Sequence, residues 1–231
     1  MTKLAIIGAM EEEIKPLLEY FTNIKITNYA NNTYYEVKFG ELSVVIAYSK
    51  IGKVFSTLTA TIMIEKFKCD TLFFSGVAGG INSDLKIGDL IVATKLVQHD
   101  LDITAFGHPF GYVPGGEVFV NTNEELVNIA IEVAKENNIK IIEGIIATGD
   151  QFVNNEKRKL FIQNTFKADA LEMEGASVAM VCNSLNVPCL ILRAISDTAN
   201  MDAGFNFDTF LETSAKKSAE FLIKVVSKIS N

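Results

Sequence analysis

No run of this chain reaches the roughly 20 largely apolar residues that a membrane-spanning helix needs, so a helical membrane protein is not expected. The first apolar run, residues 4–7, is too short for an export signal and meets Glu11-Glu12-Glu13 at once, which points to a cytoplasmic protein. Basic residues are also in deficit. With 21 Lys and Arg against 28 Asp and Glu, a net charge of −7 and no basic stripe, neither nucleic acid nor an anionic membrane is expected as the main partner. Cysteine is limited to Cys69, Cys182 and Cys189, an odd number without metal-ligand spacing, which reads as buried free thiols in a reducing compartment. Only two histidines are present, and a metal centre built on His99, Asp100 and Asp102 matches no recognised motif, so no metal is expected.

Several cofactor and nucleophile signatures are missing too. Gly52-Lys53 is not a phosphate-binding P-loop, because Ala47 stands where that loop needs glycine and Val54 where it needs Ser or Thr. The turn after the first strand has Gly8 alone, and the glycines after Phe74 have the wrong spacing for a dinucleotide fingerprint. Ser75 does not sit in a G-x-S-x-G elbow. No organic cofactor is expected. Nor does any linker, low-complexity tract or repeat divide the chain, so residues 1–231 read as a single domain.

What is present is a chain that is 48% hydrophobic, with short apolar runs alternating with helical patterns. Buried strands are expected over 4–7, 71–74, 90–93, 139–147 and 187–197, and a hairpin over 34–39 and 43–48. Helices are expected over 54–65, 123–136, 156–166, 176–185 and 208–229. Another carries Ile14, Leu17, Leu18 and Phe21, and Pro16 should start it near Ile14 or bend it. Alternation of this kind predicts an α/β fold, with helices packed on a central sheet.

The run 187–197 organises the rest. It reads as core as far as Arg193, then presents Arg193, Ser196 and Asp197 at the C-terminal edge of a strand, where ligands bind in open α/β sheets. Two readings stand: a buried Arg193–Asp197 ion pair, or a site. A second acidic cluster, Glu172 and Glu174 at the start of a helix, favours the site. Of the three N-terminal glutamates, Glu12 points away from the apolar helix face, while Glu11 and Glu13 border it. They either complement the helix dipole or lie above the sheet edge. Gly76, Gly79 and Gly80 predict a tight turn or a nest of backbone N–H groups. Phe152, beyond a strand exit, is an aromatic able to stack on a flat ligand or to join the core. The long irregular stretch 99–116 suggests a lid or a contact surface.

Six motifs in order, Ile7-Gly8-Ala9-Met10-Glu11-Glu12-Glu13, Ser49-Lys50-Ile51-Gly52-Lys53-Val54, Gly76-Val77-Ala78-Gly79-Gly80, Asp102-Ile103-Thr104-Ala105-Phe106-Gly107, Leu171-Glu172-Met173-Glu174 and Arg193-Ala194-Ile195-Ser196-Asp197, resemble the bacterial 5′-methylthioadenosine/S-adenosylhomocysteine nucleosidases. The resemblance implies a three-layer α/β/α fold of the nucleoside phosphorylase type with a central mixed sheet, a homodimer, and hydrolysis of the adenine N-glycosidic bond. By the same resemblance Asp197 matches the general acid, Glu13 the base for water and Arg193 a residue near that water. Glu174 and Met173 match ribose contacts, with Glu172 and Ser196 beside them in the binding motifs. Phe152 matches the aromatic that stacks on adenine and Val153 a backbone contact to it, while Ile51 and Phe207 match the wall around the 5′ substituent. Ile103, Phe106 and Pro114 match a loop that reaches the site of a second copy. Some members have Ser in place of Val77, so only backbone contact carries over to Val77 and Ala78.

The implied chemistry suits these residue types. Adenine leaves poorly as an anion, so one group must protonate it while positive charge builds on the ribose and another takes a proton from water. Asp197 can donate near neutral pH only with a raised pKa, and a bell-shaped pH profile is expected. A phosphorylase is the nearest rival, but a glutamate triplet repels phosphate. A silent nucleoside-binding module is disfavoured, because it could dispense with Glu13 or Asp197.

Overall fold

Side chains along a strand alternate between faces, and here the alternation separates two cores. In β1 (Lys3–Gly8), Ala5 and Ile7 join one core while Leu4 and Ile6 join the other. The same split divides Cys189, Ile191 and Ile195 from Leu190, Leu192 and Ala194 in β10 (Cys189–Thr198). The first core is closed by α2 (Lys53–Glu65) and α5 (Gly175–Ser184). The second is closed by α1 (Glu11–Tyr20), α3 (Glu124–Glu136) and α6 (Ala203–Ser230). The result is three layers, α/β/α. This is a computed structural model; it describes residues 2–198 and 203–230, the side chains of 203–208 excepted.

The remaining strands are β2 (Lys25–Tyr29), β3 (Asn32–Phe39), β4 (Leu42–Tyr48), β5 (Thr71–Gly80), β6 (Leu90–Gln98), β7 (Phe119–Asn121), β8 (Ile141–Thr148) and β9 (Ala170–Glu172), and the remaining helix is α4 (Glu156–Phe166). All strands belong to one mixed sheet. β5, β10, β6, β8 and β9 pair in a closed ring, from which β1, β4, β3 and β2 extend as an arm. β5 is the junction. One of its edges pairs with β10 from Leu72 to Gly80. The other pairs with β1 only as far as Phe74, and with β9 only at Gly79 and Gly80. Between them no strand among the described residues covers that edge.

Several expectations need correction. The glycines of 76–80 make no turn: β5 continues straight through them, and Gly76, Gly79 and Gly80 all keep ordinary φ. Pro16 does not delay α1, which starts at Glu11, because the Met10 and Ala9 N–H groups are bound by the Glu13 carboxylate and the turn is fixed before the proline is reached. Pro16 forfeits only a bond to the carbonyl of exposed Glu12, which water can serve. β10 stays buried beyond Arg193 to Asp197, and α6 begins at Ala203, not near 208. The short strands β2, β7 and β9 carry no alternation long enough to read, and the 99–116 stretch holds one 3₁₀ turn, Thr104–Phe106.

Candidate active site

Glu13 fills the uncovered edge of β5. Its Oε1 accepts the Val77 N–H at 2.9 Å, the bond a neighbouring strand would otherwise make. Its Oε2 accepts from Ala9 at 2.5 Å and Met10 at 3.1 Å. The approach requires a bare backbone, since a Cβ on Gly76 would overlap the carboxylate, 2.8 Å from its Cδ. Burial pushes the Glu13 pKa up, against the pull of the Arg193 charge and the three N–H groups. Glu11 and Glu12 are exposed, so the triplet divides into one inward and two solvated carboxylates.

Arg193 is 1% exposed and lies flat over the Phe74 ring, its guanidinium carbon 4.1 Å from the centroid. It does not pair with Asp197. Its Nη2 donates to Glu172 Oε2 at 2.6 Å, and its Nη1 to the carbonyls of Phe74 and Leu192. Glu172 ends β9 and is saturated: Oε2 also accepts from Glu174 N and Gly175 N, and Oε1 from the Thr148 hydroxyl. Thr148 in turn accepts from Ala176 N at 2.8 Å. Glu174 stands at the N-cap of α5 with one oxygen accepting the Gly52 N–H at 2.9 Å. Burial first, then the neighbouring Glu172 charge, push its pKa up to about 8. Three buried carboxylates thus share one guanidinium.

Asp197 sits one residue beyond a bulge. The β10 register against β5 slips between Ile195 and Asp197, and the displaced Ile195 carbonyl is held by Gly88 N and the Ser214 hydroxyl. Asp197 Oδ1 accepts from the Ser196 hydroxyl at 3.0 Å, and Oδ2 faces Lys159 Nζ at 4.0 Å. Here too a glycine makes the space, because a Cβ on Gly79 would lie 2.9 Å from Asp197 Oδ2. Burial raises the Asp197 pKa, opposed by the Ser196 hydrogen bond and the Lys159 charge. Gly76 and Gly79 are three residues apart, about 10 Å along an extended strand, so the two carboxylates meet β5 at separate points.

The family model for the phosphorylase superfamily matches residues 3–227. The chain belongs to that superfamily, among its nucleosidases. An aminodeoxyfutalosine nucleosidase of Campylobacter jejuni is 58% identical over 99% of this chain and 100% of its own. The crystal structure of the Campylobacter jejuni 5′-methylthioadenosine/S-adenosyl homocysteine nucleosidase superposes with a TM-score of 0.95, at 58% identity over 99% of this chain and 100% of that one. The futalosine hydrolase of Helicobacter pylori strain 26695 gives a TM-score of 0.97 at 50% identity, covering 98% of each chain.

In this nucleosidase Glu13, Val77, Ala78, Glu172, Met173, Glu174, Arg193, Ser196 and Asp197 surround the C-terminal half of β5. The Val77 N–H is already taken by Glu13, and the Val77 and Ala78 side chains are buried. Phe152 is half exposed in the coil after β8, four residues past the strand end, and Val153 packs against the small core of Ile81, Val97 and Ile162. Ile51, also half exposed, precedes the glycine that binds Glu174. Ile103, Phe106 and Pro114 lie on the long loop, with Phe106 81% exposed. The Phe207 side chain falls outside the described residues.

Sequence reasoning missed the groups that lock these parts together. Lys53 Nζ meets Asp100 at 2.7 Å, Lys53 N donates to Asp150 at 2.8 Å, and Asp150 N donates to Asp100 at 2.9 Å, tying three loops. Lys159 was hidden in the run Lys157-Arg158-Lys159, which reads as a solvated helix face. Its proximity to Asp197 is a long-range fact that no local pattern carries.

Proposed function

We propose that this nucleosidase cleaves the N-glycosidic bond of 5′-substituted adenosines with water, releasing adenine. The arrangement of two buried carboxylates against two glycines of one strand carries the reading. Asp197, with its raised pKa, gives a proton to N7 of the purine, making adenine a neutral leaving group. Glu13 takes a proton from the attacking water on the other side of the sugar, and Arg193, held by Glu172, steadies its negative form. Glu174 grips ribose hydroxyls, which become more acidic as the ring turns cationic. With Glu172 paired to Arg193 and Glu174 keeping its proton up to about pH 8, an ionised Glu13 is the charge that favours an oxocarbenium-like state and opposes the entry of phosphate. Phosphorolysis is therefore the poorer reading.

Ile51 and Phe207 would wall the 5′ substituent, Phe152 would stack on adenine with Val153 offering its backbone, and Met173 and Ser196 would complete the sugar and base contacts. Methylthioadenosine, adenosylhomocysteine, 5′-deoxyadenosine and aminodeoxyfutalosine are the substrates we assign to it; the names carried by its relatives support all of these but 5′-deoxyadenosine, which follows from its smaller 5′ group. Ile103, Phe106 and Pro114 would close the site of a second copy in a homodimer, with the whole chain as one cytoplasmic domain. The test is adenine release from each nucleoside with and without phosphate. Equal rates are expected, and an Asp197→Asn variant should lose activity by about 10²-fold or more. Turnover that waits for phosphate, or an undiminished Asp197→Asn enzyme, overturns the reading.

A further inference from the structure

Lys159 belongs to no motif that marks the site, yet it is 5% exposed on α4 and points at Asp197 from the side opposite the sheet. An unpaired lysine is rarely buried, because removing an ammonium group from water is costly. Among the described residues its ion pair is with Asp197, at 4.0 Å. That separation is too long for a hydrogen bond, so the lysine acts on the carboxylate by charge and leaves Oδ2 available to a ligand. Among the described residues the other groups near Asp197 are neutral or remote. β5 presents only Gly79 and Gly80, β10 presents Ser196, and on α4 the one further charged residue of the adjoining cavity of about 300 Å³ is the exposed Glu156.

We propose that Lys159 is a positioning residue for Asp197, a buried cation that orients the carboxyl group and stabilises the negative charge left on it as its proton passes to the purine. The inference rests on Asp197 being the general acid. Without Lys159 the carboxyl group would hold its proton more tightly, and transfer to N7 would be slower although more of the enzyme stays protonated at high pH.

The experiment is a pH profile of kcat/KM for Lys159→Met, Lys159→Arg and Asp197→Asn in the full-length protein, with thermal melts for each. Lys159→Met should lower kcat at neutral pH by about 10- to 100-fold and move the high-pH limb upward by about one unit, while the low-pH limb set by Glu13 stays in place. Lys159→Arg should restore both the rate and the limb. A folded Lys159→Met enzyme whose high-pH limb coincides with that of the unaltered enzyme overturns the role of Lys159, and so does a Lys159→Arg enzyme no better than Lys159→Met. If Lys159→Met does not fold, the arginine variant alone decides: a retained cation must give a near-normal rate. An active Asp197→Asn enzyme instead removes the general acid, a separate failure.

Discussion

Glu174 has an unfavourable electrostatic position: it is 5% exposed and stands beside the Glu172 and Glu13 carboxylates. Its pKa of about 8, against an ordinary 4.5, links the site to stability. Between those values the unfolded chain has already lost this proton while the folded protein keeps it, so stability falls as pH rises from about 4.5 to 8 and the loss is complete above 8. Glu174→Gln removes that dependence and keeps an acceptor for the Gly52 N–H. Thermal or urea melts should show the variant more stable than the unaltered protein at pH 8, by on the order of 2 kcal/mol, and nearly equal to it at pH 5. Equal stability at both values would mean that Glu174 is ionised without penalty. The same substitution should weaken nucleoside binding, the usual trade between stability and a strained site.

β5 does two jobs that compete. As a strand it must be paired, and as the floor of the site it must admit side chains at its edge. The conflict is resolved by ending the β1 pairing at Phe74, starting the β9 pairing at Gly79, and letting Glu13 bond to the Val77 N–H between them. Glycine is required at 76 and 79 for space and not for backbone conformation, since neither has positive φ. Gly76→Ala tests this directly. The added methyl must displace the Glu13 carboxylate, and a shift of about 1 Å in a catalytic group costs on the order of 100-fold in kcat. Circular dichroism should show the sheet intact, because alanine suits a strand better than glycine does. Normal turnover from a folded Gly76→Ala protein would separate Glu13 from the reaction.

Over the whole molecule, some of the apolar side chains left in water are grouped. Val54, Phe55 and Leu58 form an exposed patch on α2, Leu185 ends α5, and α2 and α5 pack together through the Ser56–Ser177 hydrogen bond. With the 81% exposed Phe106 on the long loop, these surfaces match the homodimer proposed above. The expected particle in solution is then twice the 25.4 kDa chain. Leu58→Glu should yield a monomer in sedimentation or light scattering, and its kcat/KM should fall by about tenfold or more, because the loop carrying Ile103, Phe106 and Pro114 no longer reaches the other copy. A fully active monomer would rule out a site shared between copies.

Apolar periodicity alone determined the α/β class, the long strands β1, β4 and β10, and most helix bounds, because alternation and the 3.6-residue repeat are local properties. Arg193 and Asp197 were legible for a similar reason, since charge in or at the end of an apolar run conflicts with burial and so stands out, with Glu172 and Glu174 as a second acidic cluster; Glu13 was separated from its triplet by the family resemblance. Tertiary structure decided which charges meet. Arg193 chose Glu172 over Asp197, Asp197 faced a lysine from a helix that reads as solvated, and three glycines that resemble a turn became open floor in a straight strand. Those outcomes depend on where β5 gains and loses its neighbours, and sheet pairing joins residues too distant in the chain for any local pattern to register.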